Sequence, residues 1–309
     1  MSLLKKEIIQ ICEQYLPTYK KSIYGLKYEP KGIFYSEMLL FIAISKKLGV
    51  NLLIESGRAR GQSTKIIAEN FKEQSYQIKS VEFVKYSSDV KISYNRLKEY
   101  KNIDLIFGNS FEILPKLVRE ECCVLIDGPK SGAINLAIDM LKNPLVKAIF
   151  IHDMHKDSIE RNEAEKIFKD CFFTDDLDYV NKFKNLDKKA WLDQRKHREF
   201  QSWAPYKKDN KIMKSYASTL MLIFNSGNAF NLTQATKLSN KRFNKKRKRS
   251  LKKIIENWPS RIKNIISFPV YYIFYEKRIK NSQKLNKIAF IKIWFSYIYI
   301  TLKGIFQKK

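Results

Sequence analysis

The sequence predicts an α/β domain built on an open, doubly wound, mostly parallel sheet, followed by a basic helical tail, within 309 residues. Three observations predict this. From about residue 35 to 155, short apolar runs bounded by turn residues alternate with segments of helical period. The runs are continuous in Val, Ile and Leu rather than alternating with polar residues, as in strands covered on both faces. The positive charge is gathered at one end. Of 59 Lys and Arg, 21 lie from Lys237 onward beside only 2 of the 31 acids, so this stretch carries +19 of the net +28.

Taken in order, residues 1–34 form a helical lead-in. Its start, "MSLLKKEIIQICEQYL", is amphipathic and charged, without the apolar region or small-residue cleavage site of a secretion signal. A helix over 35–48, "YSEMLLFIAISKKL", stops at Gly49, the residue type that ends helices in a left-handed conformation. Strands follow at 51–55, 78–82, 103–107, 122–126 and 147–151, with helices near 63–71, 86–99, 110–119 and 131–142. From 155 to 212 the chain turns polar. A helix at 157–169 and the stretch "KKAWLDQRKHREFQSWAPY" suit an inserted cap, whose Trp191, Trp203, Tyr206 and His197 either close over a substrate or fasten the insert to the sheet. "YASTLMLIFN" at 216–225 returns to strand character and completes a domain of 35–230. Cys12, Cys122, Cys123 and Cys171 form no CxxC pair, which points to buried thiols, a reducing compartment and a cytoplasmic location.

The chemistry concentrates at strand ends. In an open parallel sheet, ligands bind beyond the carboxyl ends of the strands, and the first strand–turn–helix supplies a backbone cradle, as in Rossmann-like folds. Here that junction reads "ESGRARGQST" over 55–64. Gly57 and Gly61 permit positive φ, Ala59 keeps the turn small, and Ser63 and Thr64 occupy the first helical turn, where unpaired N–H groups attract a carboxylate. Glu82 ends the second strand 21 residues after Gly61, where an acid can accept both hydroxyls of a ribose. Glu55 would repel a pyrophosphate and favour an ammonium group, so the pattern selects an amino-acid-bearing nucleoside.

"ESGRARG" resembles the E/D-x-G-x-G-x-G motif of class I S-adenosylmethionine-dependent methyltransferases, with Ala59 at the middle glycine. The likeness continues in "VEF" (81–83), "FGNSFEILPKL" (107–117) and "LIDGPK" (125–130), covers roughly 35–225, and is nearest the O-methyltransferase branch that includes catechol and sugar O-methyltransferases. The resemblance implies S-adenosylmethionine as cofactor. It places Glu55, Gly57 and Gly61 around the methionine, Ser63 at its carboxylate, Glu82 on the ribose, and Asn109 and Ser110 at the adenine edge. Asp127 is a cofactor-side acid in many branches of the fold. In catechol-type enzymes the acids at the positions of Asp127 and Asp153 hold Mg²⁺, and a lysine at the position of Lys130 is the base. The third ligand there is an asparagine; here it is Met154, a poor Mg²⁺ ligand, so His152 or His155 becomes the alternative base.

The tail opens with the polybasic "KRFNKKRKRSLKK" (241–253) and ends in "LNKIAFIKIWFSYIYITLKGIFQKK" (285–309). Its uncharged aromatic and aliphatic stretch is too short to span a bilayer and suits a helix lying in the headgroup layer of an anionic membrane. Nucleic acid, the chain's own domain and a second copy of the chain, as in a homodimer, are the competing partners for 241–309. The combined expectation is a peripherally membrane-bound O-methyltransferase acting on a sugar or lipid-linked glycan. An RNA methyltransferase and a non-catalytic relative are the alternatives.

Overall fold

A computed structural model describes residues 3–30, 32–73, 75–128, 132–156, 158–196 and 219–225. All lie in the first of the two units into which the chain divides, Met1–Thr236 and Lys237–Lys309. The polybasic tail, Lys130, His197, Trp203 and Tyr206 therefore lie outside the described residues.

Helix α1 (Leu3–Ile23) leads into α2 (Tyr35–Leu48). The described chain then runs β1 (Leu52–Ser56), α3 (Gln62–Asn70), β2 (Gln77–Glu82), α4 (Ser88–Leu97), β3 (Ile103–Phe107), α5 (Ser110–Leu117), β4 (Cys122–Ile126), α6 (Ala133–Leu141) and β5 (Val146–Ile151). It continues with α7 (Ile159–Ile167), β6 (Cys171–Phe173), α8 (Leu177–Phe183), α9 (Lys188–Lys196) and β7 (Met221–Phe224). The sheet order is β3-β2-β1-β4-β5-β7-β6. The first five strands are parallel, and β7 runs antiparallel to both β5 and β6.

Successive side chains of a strand point to opposite faces, and here both faces are covered. Leu53, Cys123, Leu125 and Phe150 join α1, α2 and α3 in one core; Leu52, Ile54, Val124 and Ile149 join α6 and α7 in the other. Helix α2 is the centre of the first core: Met38 through Ile44 are at most 1% exposed. Each of these side chains larger than Ala43 contributes about 1.5–3 kcal/mol of burial. Gly49 ends α2 at φ 67° with its N–H on Lys46 O, as its residue type predicts.

The segment expected to be a polar insert is partly core. Cys171–Phe173 joins the sheet as an edge strand, and Tyr179, Phe183 and Trp191 are buried in the α1–α2 core. Trp191 lies with its ring centroid 6.4 Å from that of Phe34, so it fastens α9 to the domain and offers no face to a substrate. Asp187, fully buried, accepts the Ser36 N–H at 2.8 Å and the Ser36 hydroxyl, capping α2 from a distant stretch of chain.

Burial pushes the Asp187 carboxyl well above the ordinary aspartate range. The folded chain therefore keeps a proton that the unfolded chain releases, and stability falls as pH rises from the ordinary aspartate value toward the elevated one. Asp187→Ala is expected to cost about 2–4 kcal/mol by leaving the Ser36 groups unpaired. Asp187→Asn, which keeps an acceptor and adds a donor, is expected to retain most of the stability and lose this pH dependence; thermal denaturation across pH measures both.

Candidate active site

The strand order reverses between β1 and β4, which places the binding crevice of an open α/β sheet at their carboxyl ends. Over that point the turn 57–61 takes left-handed backbone at Gly57 (φ 89°), Ala59 (φ 44°) and Gly61 (φ 75°). Gly57 is required by more than its φ. A Cβ there would lie 2.4 Å from the backbone nitrogen of Gly128, because the loop after β4 crosses directly against the turn. Asp127 N and Gly128 N both donate to Ser56 O, at 2.9 and 3.1 Å, and so tie the two loops together. At Gly61 the nearest neighbours of an added Cβ are Leu97 and Ser93 of α4.

Glu55 and Ser63, both expected around the methionine, are joined to each other beneath the turn. Glu55 is 0% exposed and accepts the hydroxyls of Ser63, Thr64 and Ser80, the last at 2.7 Å, which joins β1, α3 and β2 beneath the turn. Burial raises the pKa of its carboxyl against the opposing pull of those three hydroxyls and Arg58. Glu55 thus clamps β1, α3 and β2 together under the cradle, and the Ser63 hydroxyl donates to it. The amino end of α3 opens at the same place, and its first N–H groups have no acceptor within the helix.

Glu82 stands at the tip of β2, as expected. Its Oε2 accepts Ala59 N at 2.8 Å, and its Oε1 accepts Phe83 N at 2.8 Å. Oε1 also accepts Val84 N at 3.3 Å, so Oε2 is the carboxylate oxygen with a second lone pair for a ligand hydroxyl. Asn109 caps α5: its Oδ1 accepts Phe111 N at 3.2 Å and its Nδ2 donates to Glu112 at 3.0 Å. Both ends of the amide are thus engaged within the first turn of α5.

Two further groups at this turn went unread in the sequence. Arg58, only 1% exposed, donates to Ser80 O at 2.6 Å and lies 5.0 Å over the Phe107 ring, with Nε and Nη2 unpartnered. Glu29, in the connection between α1 and α2, meets Arg60 at 3.1 Å and Arg96 at 2.8 Å, which straps that connection onto the turn. An isolated Arg inside a glycine turn and an acid 31 positions before its partner carry no periodic signal.

The ends of β4 and β5 form the neighbouring rim. His152 Nδ1 lies 2.7 Å from Asp127 Oδ1 and 3.5 Å from Asp153 Oδ1, and its Nε2 lies 3.5 Å from Oε1 of the fully buried Glu37. Burial works against a charge on this ring, but Asp127, Glu37 and Asp153 outweigh it and hold the His152 pKa well above its usual value. Three carboxylates around the ring thus favour its protonated form. His155, half exposed and 3.7 Å from Asp153 Oδ1, stands freer at the rim.

The Mg²⁺ implied by the resemblance fits this set poorly. Met154, where a third oxygen would be needed, is 1% exposed and packed in the core with α6 and α7. The third donor that the described residues bring to Asp127 and Asp153 is a nitrogen, that of His152. A separate cleft of about 330 Å³ beside β6, walled by Lys5, Arg161, Phe173 and Asp175 among others, gathers none of the expected site residues.

No family model matches the sequence, and no curated protein is significantly similar to it. Solved structures are similar. The O-methyltransferase TomG of Streptomyces achromogenes, in complex with S-adenosylmethionine, has 12% identity and a TM-score of 0.42 over 68% of this chain and 88% of its own. The methyltransferase PaMTH1 of Podospora anserina, bound to S-adenosylhomocysteine, has 16% identity and a TM-score of 0.35 over 50% of this chain and 63% of its own. This chain thus spans less than two thirds of PaMTH1. The 23S rRNA methyltransferase ErmE has 15% identity and a TM-score of 0.28 over 47% and 44%. The deciding observation is the sheet, five parallel strands followed at one edge by an antiparallel β7 inserted between β5 and β6. This is the class I methyltransferase fold. Within it the turn 57–61, Glu82 and the 109–110 turn share one rim with Asp127, His152 and Asp153.

Proposed function

We propose that this protein is an S-adenosylmethionine-dependent methyltransferase whose acceptor is a hydroxyl of a sugar or lipid-linked glycan. The observation that carries the reading is Glu82 joined to Ala59 N, which sets a carboxylate beside a left-handed turn and a helix amino end above the strand-order reversal. That combination suits a nucleoside bearing a carboxylate. The bound cofactor would supply an electrophilic methyl group on sulfur.

The chain's own residues do the rest. The amino end of α3 draws the carboxylate, Glu82 accepts the ribose hydroxyls, and the 109–110 turn borders the base. Glu55 and Arg58 hold the cradle from below. Displacement at a sulfonium needs the acceptor in line and water excluded, and a base is needed only because the acceptor is a neutral hydroxyl. His155 and Lys130 are the candidates to take that proton, in place of His152.

The test uses methyl-labelled S-adenosylmethionine with separated glycolipid, glycan, RNA and protein fractions of a lysate. Label fixed as a base-stable ether in the glycan or glycolipid fraction is expected. Label in RNA would favour the alternative acceptor, and no transfer to any fraction would count against an enzyme.

The stretch from Lys237 onward, with +19 charge and blocks of aromatic and aliphatic residues, supports a second part of the proposal, that 241–309 holds the enzyme on an anionic membrane surface. Among the described residues no helix is long and apolar enough to cross a membrane. The full chain is expected to float with phosphatidylserine-containing vesicles in low salt, and a chain ending at residue 236 is expected to lose at least tenfold in bound fraction. Flotation unchanged by the truncation would remove the tail from this role.

A further inference from the structure

The cleft beside β6 lies on the same rim as the ends of β4 and β5, further along the sheet. Met221, the first residue of β7, pairs with both Ile151 of β5 and Phe173 of β6, so the carboxyl ends of β5 and β6 are level. With β7 between them, and neighbouring strands about 4.8 Å apart, the two ends are separated by about 10 Å. Arg161 bridges part of that distance: its Nη1 donates to Met154 O at 3.4 Å, next in the chain to Asp153 and His155. The cleft's volume of about 330 Å³ falls within the range of small-molecule sites, roughly 300–1,000 Å³.

Its walls come from three helices and the end of β6. Lys5 of α1 pairs with Asp176 at 2.7 Å and with Asp178 at 2.8 Å. Arg161 of α7 pairs with Asp175 and lies 3.8 Å from the centroid of the Phe173 ring. Leu177, the first residue of α8, lines the same cleft and is 68% exposed. The balance of charge selects the ligand. An anion would meet Asp175 and Asp176, and a cation would meet carboxylates that Lys5 and Arg161 already neutralise. A neutral polyol meets neither obstacle, because each ion pair sets carboxylate acceptors beside charged donors and a hydroxyl can use both at once. The exposed Leu177 side chain gains by covering the C–H face of a sugar ring.

We propose that this cleft is a sugar-binding subsite, which takes one neutral ring of the acceptor while another ring presents its hydroxyl at the ends of β4 and β5. The proposal rests on the glycan acceptor inferred above and narrows it to an oligosaccharide, since a single ring does not bridge the two places.

The test is saturation-transfer difference NMR on the full chain with the methyl glycosides of glucose, galactose, mannose, rhamnose and N-acetylglucosamine, each with and without saturating S-adenosylhomocysteine. A saturable signal from at least one glycoside, undiminished by S-adenosylhomocysteine, is expected. Leu177→Trp, which adds bulk to the cleft at an exposed helix start, is expected to weaken that binding at least tenfold and to leave S-adenosylhomocysteine binding as it was. No saturable signal from any glycoside, displacement by S-adenosylhomocysteine, or binding indifferent to Leu177→Trp would each overturn the subsite. The first two outcomes are read on the unaltered chain, so they decide the matter even if the variant fails to fold. Failure here is distinct from failure of the methyltransferase reading: a chain that binds S-adenosylhomocysteine but no glycoside loses only the subsite, and one that binds a glycoside but no S-adenosylhomocysteine loses only the cofactor.

Discussion

Glu82→Ala is expected to weaken S-adenosylhomocysteine binding about 30- to 150-fold, equivalent to about 2–3 kcal/mol. A carboxylate that accepts two ribose hydroxyls makes charge-assisted hydrogen bonds, roughly twice as strong as neutral ones. It also holds the turn, through Ala59 N at 2.8 Å, in the left-handed shape that Ala59 adopts at some cost. Removing it takes away both the ribose contact and the support of the cradle. Glu82→Gln keeps an acceptor for Ala59 N and is expected to lose less. Calorimetric titration of both variants, with the fold checked by circular dichroism, separates the two effects. Equal and small losses in both would take Glu82 off the ribose.

The second large effect is on stability. Glu55→Ala is expected to cost about 3–5 kcal/mol, because it strands the Ser63, Thr64 and Ser80 hydroxyls and deprives the buried Arg58 of a nearby counter-charge. The corresponding fall in Tm is about 6–20 °C. Glu55→Gln, of the same shape, is expected to cost much less. Because the folded Glu55 carboxyl has a raised pKa, the native chain loses stability as pH climbs from the ordinary glutamate range to the elevated value. The Gln variant lacks that slope. Denaturant titration of wild type and both variants across this pH range checks magnitude and sign. A Glu55→Ala chain as stable as wild type would mean the clamp is not formed.

These two glutamates mark the limit of what the sequence could tell. Both sit in the expected motif, at the expected strand ends, yet one faces the rim and its neighbour in the motif faces the interior. Periodicity located the strands within a residue because β1, β4 and β5 are continuous apolar runs that are almost wholly buried. It could not assign the side of the sheet to which a polar residue at a strand end turns, since that depends on which hydroxyls the next helix and strand bring near. Ser63, Thr64 and Ser80 converge on Glu55 only in three dimensions.

The same reason hid β6 and α9. Cys171–Phe173 is three residues long at a sheet edge and surrounded by charge, and the large apolar anchor of α9, Trp191, reads in the sequence equally as a binding aromatic or a fastening one. The acid pair at β4 and β5 was legible from "LIDGPK" and "FIHDMHK". That His152 turns inward between Asp127 and Glu37 was not, because Glu37 lies 115 residues earlier and reads as an ordinary first-turn acid of α2.

The most direct measurement is a calorimetric titration of S-adenosylhomocysteine into the unaltered full-length chain. Saturable binding of one equivalent, lost on adding Glu82→Ala, is the expected result. A flat titration with folded protein, or binding indifferent to Glu82, would contradict a nucleoside pocket at the end of β1 and β2.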